Sequence, residues 1–241
     1  MTRGTPSRFT FDPSEESRPL WSPDGSRIVF WSNRKAPGLY EKASSGTGHD
    51  ELVLARGGRP LGWTRDGRSL LYDTDYGPTP NRDLWILPLA GDRTPTQFLA
   101  TKFNEVQGQL SPDGRWIAYV SDESSQNEVY VRPFPAGDGQ WRVSTSGGVE
   151  PKWRSDGKEL FYLAPDRALM SVVMKTDSTV EAGPPTRLFD TRMSTSTNFA
   201  NTRNQYVVTA DGQRFLISQP PAAAPSSPIT VVLNWMAALK N

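Results

Sequence analysis

The sequence contains no cysteine and a single histidine, His49. The first absence excludes a disulfide framework and any thiolate zinc or iron–sulfur site. The second leaves little material for Ser-His-Asp chemistry. His49 lies in GTGHDEL, a Gly-rich stretch with nothing apolar to fix it, and a general base must be held within hydrogen-bond reach of its nucleophile. We read it as a solvated loop residue. Charge of one sign is also lacking: 27 Lys and Arg against 26 Asp and Glu give +1, so no global field draws the chain onto nucleic acid or an anionic membrane. Long hydrophobic runs are missing too. Ile229–Leu239 is interrupted by Thr230 and Asn234 and falls well short of the ~20 apolar residues that span a bilayer. MTRGTPSRFT has no apolar h-region, so no signal peptide is read there. No G-x-S-x-G, H-E-x-x-H, G-x-G-x-x-G, H-R-D or D-F-G motif occurs.

What is present is punctuation. Twenty Gly and 21 Pro are spread between short apolar runs, too many for a helical protein and too dispersed for a disordered one. Aligning the chain on Asp-Gly gives five matching lines: RPLWSPDGSRIVFWS (18–32), PLGWTRDGRSLLYDT (60–74), QGQLSPDGRWIAYVS (107–121), EPKWRSDGKELFYLA (150–164) and QYVVTADGQRFLISQ (205–219). The aspartates stand at 24, 66, 113, 156 and 211, so the spacings are 42, 47, 43 and 55. The first three lie near the ~40–45-residue period of a propeller blade. Asp-Gly suits a tight hairpin because Gly accepts φ > 0 freely and Asp tolerates it. A strand ending in Trp21, Trp63, Leu110, Trp153 or Val208 comes before each turn, and an alternating strand rich in β-branched and aromatic residues comes after it.

Third and fourth strands follow in blades one to four: 38–42 and 51–54, 83–87 and 97–99, 128–131 and 140–143, 169–174 and 187–189. The fifth repeat offers 229–235 as its third strand and no fourth. A spare strand, Arg8-Phe9-Thr10-Phe11, stands ready to close the ring as the outer strand of blade five, which would remove two exposed sheet edges. The expectation is an all-β, five-bladed propeller of four-stranded antiparallel blades in a single domain, 7–240. The blades run about 7–56, 57–100, 101–146, 147–190 and 191–240, and closure implies a monomer. An open arc cut from a longer propeller is the competing arrangement.

The segments WSPDGSRIVF (21–30), SPDGRWIAYVSDES (111–124), DGKELFYLAPD (156–166) and SPITVVLNW (227–235) resemble the WD-like Pro-Asp-Gly repeats of TolB-type propellers, most nearly those C-terminal to bacterial eukaryotic-like serine/threonine kinases. Arg65, Ser155 and Ala210 replace the Pro, and Leu110 and Val208 replace the Trp. The resemblance implies a sensor, scaffold or partner-binding module, often outside the cytoplasm. The fold is better specified than the function, since propellers host many functions.

Asp73-Thr-Asp75-Tyr-Gly77 begins like a calcium loop but lacks the third acidic ligand and the bidentate Glu, so no metal or cofactor is assigned. The channel mouth is the place for a ligand. Just before the inner strands lie Glu16, Arg18, Arg59, Glu105, Gln107, Glu150, Lys152, Arg203 and Gln205, whose mixed signs suit a polar peptide or protein. Trp21, Trp63 and Trp153 share one repeat position, which argues for packing between blades, whereas Trp31, Trp116 and Trp141 break the repeat and are candidates for an exposed patch. The leading expectation is therefore a non-catalytic, protein- or peptide-binding propeller that uses its channel mouth. A small hydrolase or lyase using channel acids around a divalent ion is the alternative.

Overall fold

The computed structural model describes residues 8–75, 77, 81–195 and 204–218; the proposed strand 229–235 and Arg203 lie outside them. Blade one comprises β1 (Glu16–Trp21), β2 (Arg27–Ser32), β3 (Gly38–Ala43) and β4 (Glu51–Ala55), paired in that order. Blade two repeats the pattern with β5 (Arg59–Trp63), β6 (Ser69–Thr74), β7 (Asp83–Pro88) and β8 (Thr96–Leu99). Blade three does so with β9 (Glu105–Leu110), β10 (Trp116–Ser121), β11 (Glu128–Pro133) and a short β12 (Trp141–Arg142). In blade four, β13 (Val149–Trp153) and β14 (Glu159–Leu163) lead to a long β15 (Ala168–Lys175), which pairs with both β16 (Glu181–Ala182) and β17 (Thr186–Asp190). Blade five contributes the hairpin β18 (Tyr206–Val208) and β19 (Phe215–Ile217). All pairings are antiparallel, and no helix among the described residues is long and apolar enough to cross a membrane.

The repeated line explains itself at atomic scale. Each Asp side chain accepts the N–H two residues on, as Asp24 does from Ser26 and Asp113 from Arg115, at 3.0 and 3.1 Å. A hydroxyl two residues before the Asp donates to it (Ser22, Thr64, Ser111 and Thr209) and itself accepts the N–H that opens the next strand. Ser/Thr-x-Asp-Gly is thus a hydrogen-bonded relay that closes the hairpin at both ends. These bonds hold Asp24 near a pKa of about 2, the Ser22 hydroxyl contributing most. In blade four Arg154 takes the hydroxyl's place and bonds Asp156. Asp113→Ala removes the acceptor of three such bonds and should cost about 1–2 kcal/mol in chemical denaturation; a loss under a few tenths would refute the relay.

Blades stack with their apolar faces together, so the middle strands are covered on both sides. β10 is buried at every residue, which is why WIAYVS reads as a continuous run instead of an alternation. The core is accordingly interleaved between blades: Val29, Leu39, Trp63 and Leu70 join blades one and two, Leu71, Leu84, Ile117 and Tyr119 join two and three, and Trp153, Phe161 and Tyr206 draw blade five into the largest cluster. Trp63 and Trp153 are 9% exposed, and Trp153 Nε1 donates to the Gln109 carbonyl of the preceding blade at 3.1 Å.

Three expectations need correction. Trp21 is 58% exposed, because its position packs against the preceding blade and no described residue covers it. The turn beside it agrees: a Cβ on Gly67, Gly114, Gly157 or Gly212 would touch the previous blade's turn, whereas one on Gly25 would meet nothing within 4 Å. Residues 8–11 form no strand. Lys42 instead holds them against blade one, bonding the Phe9 carbonyl at 3.1 Å and facing the Phe9 and Phe11 rings. Trp116 is not part of an exposed patch. It is buried against Trp141 edge-on, with Nε1 on the Thr176 carbonyl.

Candidate functional site

The inner strands β1, β5, β9 and β13 pack in succession around the channel, and each runs from one mouth to its Asp-Gly turn at the other end. At the mouth where they begin, a cavity of about 900 Å³ opens, walled by β1, by β5 with Asp73, Asp75 and Arg82, by Gln107 and Gln109 of β9, and by Asn204 before β18.

One repeat position dominates the mouth. Six residues before the repeat aspartates stand Arg18, Pro60, Gln107, Glu150 and Gln205. A β-bulge interrupts β1, β5, β9 and β13 at this point. Arg18, Gln107 and Glu150 there have φ of 58, 57 and 55°, a left-handed conformation that costs a non-glycine residue about 1–2 kcal/mol and re-aims its side chain. The side chains reach along the ring to the next blade. Gln107 Oε1 accepts the Glu150 N–H at 2.7 Å, and Glu150 accepts both the Gln205 N–H and its Nε2–H at 2.8 Å. The Tyr206 hydroxyl adds a bond to the Glu150 carbonyl at 2.8 Å. Three of the expected site residues are thus joined in a relay that clasps blades three, four and five.

The other expected residues divide by environment. Glu16 is paired with Arg34, which also meets Asp50 at 3.0 Å and lies 4.3 Å over the Tyr40 ring. Arg59 is buried against the fully buried Asp73, Nε to Oδ1 at 2.5 Å, with Arg82 at 3.7 Å from the same oxygen. Arg18 lines the cavity and acts electrostatically on Glu150. Lys152 Nζ donates to Asn204 Oδ1 at 2.8 Å, and desolvation draws its ammonium down to about 8 against the pull of Glu150. Burial pushes the Glu150 carboxyl up, with the Gln205 bonds opposing. Sequence reasoning missed Asp73 as a partner of Arg59, together with Arg82, Gln109 and Asn204, which reach the mouth only through the fold. The shared position of Gln107, Glu150 and Gln205 was a signal available in the alignment.

Glu105 is 1% exposed and does not line the cavity, so it is a buried carboxyl and not a free rim charge. It accepts bonds from the Thr101 hydroxyl and N–H. Burial raises its pKa to about 7, the nearby Asp83 and Asp122 carboxylates add to the rise, and the Thr101 bonds oppose it. The folded state therefore holds this proton more tightly than the unfolded chain, and stability falls as pH rises from about 4.5 to about 7. Glu105→Gln carries no charge; its Oε1 accepts the Thr101 N–H and its Nε2 donates to the Thr101 hydroxyl, which reverses that bond. It should flatten that slope and gain on the order of 2–3 kcal/mol at pH 8; an unchanged slope in urea titrations across this range would refute the assignment.

Among the described residues no three His, Asp or Glu side chains converge as a metal site, and His49 is exposed. No sequence family and no curated protein matches the chain. Solved structures do. TolB from Acinetobacter baumannii superposes with a TM-score of 0.64 at 18% identity, covering 86% of this chain and 49% of that one. This is a TolB-like β-propeller fold. A second structure, described as a putative TolB from Agrobacterium tumefaciens, gives 0.51 at 16% identity over 73% of this chain and 83% of that one. A puromycin-hydrolysing peptidase of Mycobacterium tuberculosis gives 0.50 at 15% identity over 67% and 30%. The propeller spans about half the length of the Acinetobacter structure.

Proposed function

We propose that this propeller binds a protein partner through an extended peptide segment lodged in the channel mouth. The observation that carries the reading is the cavity itself: about 900 Å³ of open space between bulged inner strands, lined by arginines, carboxylates, side-chain amides and the apolar edges of Leu20, Trp31 and Leu61. A peptide needs such a mixture, since its backbone takes polar contacts and its side chains take apolar ones. The likeness to TolB structures supports the fold on which this reading rests. The hydrolase or lyase reading has less support, because the acids of the mouth are largely tied to arginines: Glu16 to Arg34, Asp73 to Arg59 and Asp75 to Arg82.

Selection of a random peptide library on the immobilised propeller tests the proposal. Selected peptides should bind at least about tenfold more weakly to Arg18→Ala or Gln109→Ala, the loss expected for one charge-assisted contact. Binders indifferent to both substitutions, or none at all, would overturn it.

A further inference from the structure

The clasp between blades four and five shows how this mouth receives a carboxylate. Glu150 lies across the start of β18 and takes two hydrogens from one residue, the main-chain N–H and the Nε2–H of Gln205. The relay is incomplete elsewhere. At the equivalent place between blades two and three the acceptor position holds Pro60, whose ring has no acceptor atom, and the donor position holds Gln107. By repeat position Pro60 stands where a side chain would accept the Gln107 N–H, as Gln107 accepts that of Glu150 and Glu150 that of Gln205. Its Oε1 is already committed to Glu150, while its Nε2 hydrogens have no partner among the described residues. Pro60 and Gln107 both line the cavity. The cavity therefore opens where the internal acceptor is missing.

We propose that this place takes a carboxylate from the bound peptide, either an acidic side chain or a free C-terminus, which docks on Gln107 as Glu150 docks on Gln205. The inference rests on the peptide-binding reading and adds the chemistry of the anchor. Electrostatics of the wall agree. Of the four acids lining the cavity, Glu16, Asp73 and Asp75 are matched by Arg34, Arg59 and Arg82, and Glu15 is exposed. Arg18 brings a further guanidinium to the same space. An incoming anion there meets an amide side chain and an arginine, with most of the competing negative charge already neutralised.

The test is a titration of the isotopically labelled propeller, followed by its backbone and side-chain amide signals. Four capped tripeptides serve as probes: acetyl-Gly-Gly-Gly with a free carboxylate, its C-terminal amide, and acetyl-Gly-Glu-Gly and acetyl-Gly-Gln-Gly, both amidated. A carboxylate probe should shift the Gln107 backbone and side-chain signals, and its neutral counterpart should bind at least about tenfold more weakly. Which carboxylate probe does so distinguishes a C-terminus from an acidic side chain. Pro60→Glu supplies an internal carboxylate, as blade four does, and should abolish the response; Pro60→Ala should preserve it within about twofold. Neutral probes that shift Gln107 as strongly would overturn the carboxylate anchor while leaving peptide binding standing. Probes that shift nothing at the mouth overturn the anchor, and the library selection then decides the broader reading on its own. The comparison of probes on the unsubstituted chain holds even if Pro60→Glu does not fold.

Discussion

Asp73→Ala should destabilise the propeller by about 3–5 kcal/mol, as expected when one member of a buried ion pair is removed. Asp73 is fully buried at the end of β6, and Arg59, itself buried at the start of β5, lies against it at 2.5 Å. Arg82 stands at 3.7 Å on the other side. Without the carboxylate two guanidinium groups face each other across a space that water reaches poorly, and Arg59 cannot shed its charge. The cost is that of a buried cation that has lost its close carboxylate, which exceeds the net worth of the pair. Replacing both partners separates the two quantities. Arg59→Met with Asp73→Leu should recover most of the loss, because an apolar pair of similar volume carries no desolvation penalty. Urea unfolding of the two single variants and the double variant measures all three. A loss below about 1 kcal/mol for Asp73→Ala would mean that water or a rearranged Arg82 already screens the pair.

The same pair shows where sequence reasoning stops. Asp73 was visible only as the first residue of an incomplete calcium loop, because nothing near it in sequence is its partner; Arg59 is 14 residues away across a hairpin. The blades themselves were legible, since the Ser/Thr-x-Asp-Gly relay is local. Its donors and acceptors lie within five residues of each other, so repeat, turn and strand pair are all written in one short line. Contacts between blades span far greater separations, about 43 residues from Gln107 to Glu150 and 55 from Glu150 to Gln205, and depend on the ring. Residue type alone therefore placed Glu105 and Glu150 at the mouth but could not say that they are buried. Trp21 failed for the complementary reason. Its repeat position packs it against a preceding blade, and burial there is decided by the neighbour and not by the residue.

Glu150→Ala should detach blade five selectively. The substitution deletes two hydrogen bonds to the Glu150 carboxyl, worth about 1–2 kcal/mol each, so the hairpin β18–β19 should lose about 2–4 kcal/mol of local stability. Among the described residues it is also held by the Tyr206 side chain, 1% exposed, with its hydroxyl on the Glu150 carbonyl, by the packing of Phe215 edge-on to Phe161, and by the Ser155 hydroxyl on the Ala210 carbonyl. The backbone at residue 150 stays in its left-handed conformation with alanine, so no strain is released to offset the loss. Hydrogen exchange reads the effect where it is expected. The Thr209 and Ser218 amides, which bond the Arg214 and Gln205 carbonyls across the hairpin, should exchange orders of magnitude faster, while the Ile117 and Leu160 amides, deep in blades three and four, should change little. Glu150→Gln keeps an acceptor for one of the two donors and should fall between the extremes. If core and hairpin amides accelerate together, blade five is not an independent unit, and the clasp holds the whole ring instead of its last blade. A relay that fastens only blades three to five would leave blades one and two to position the open side of the mouth, where Pro60 interrupts it and the cavity begins.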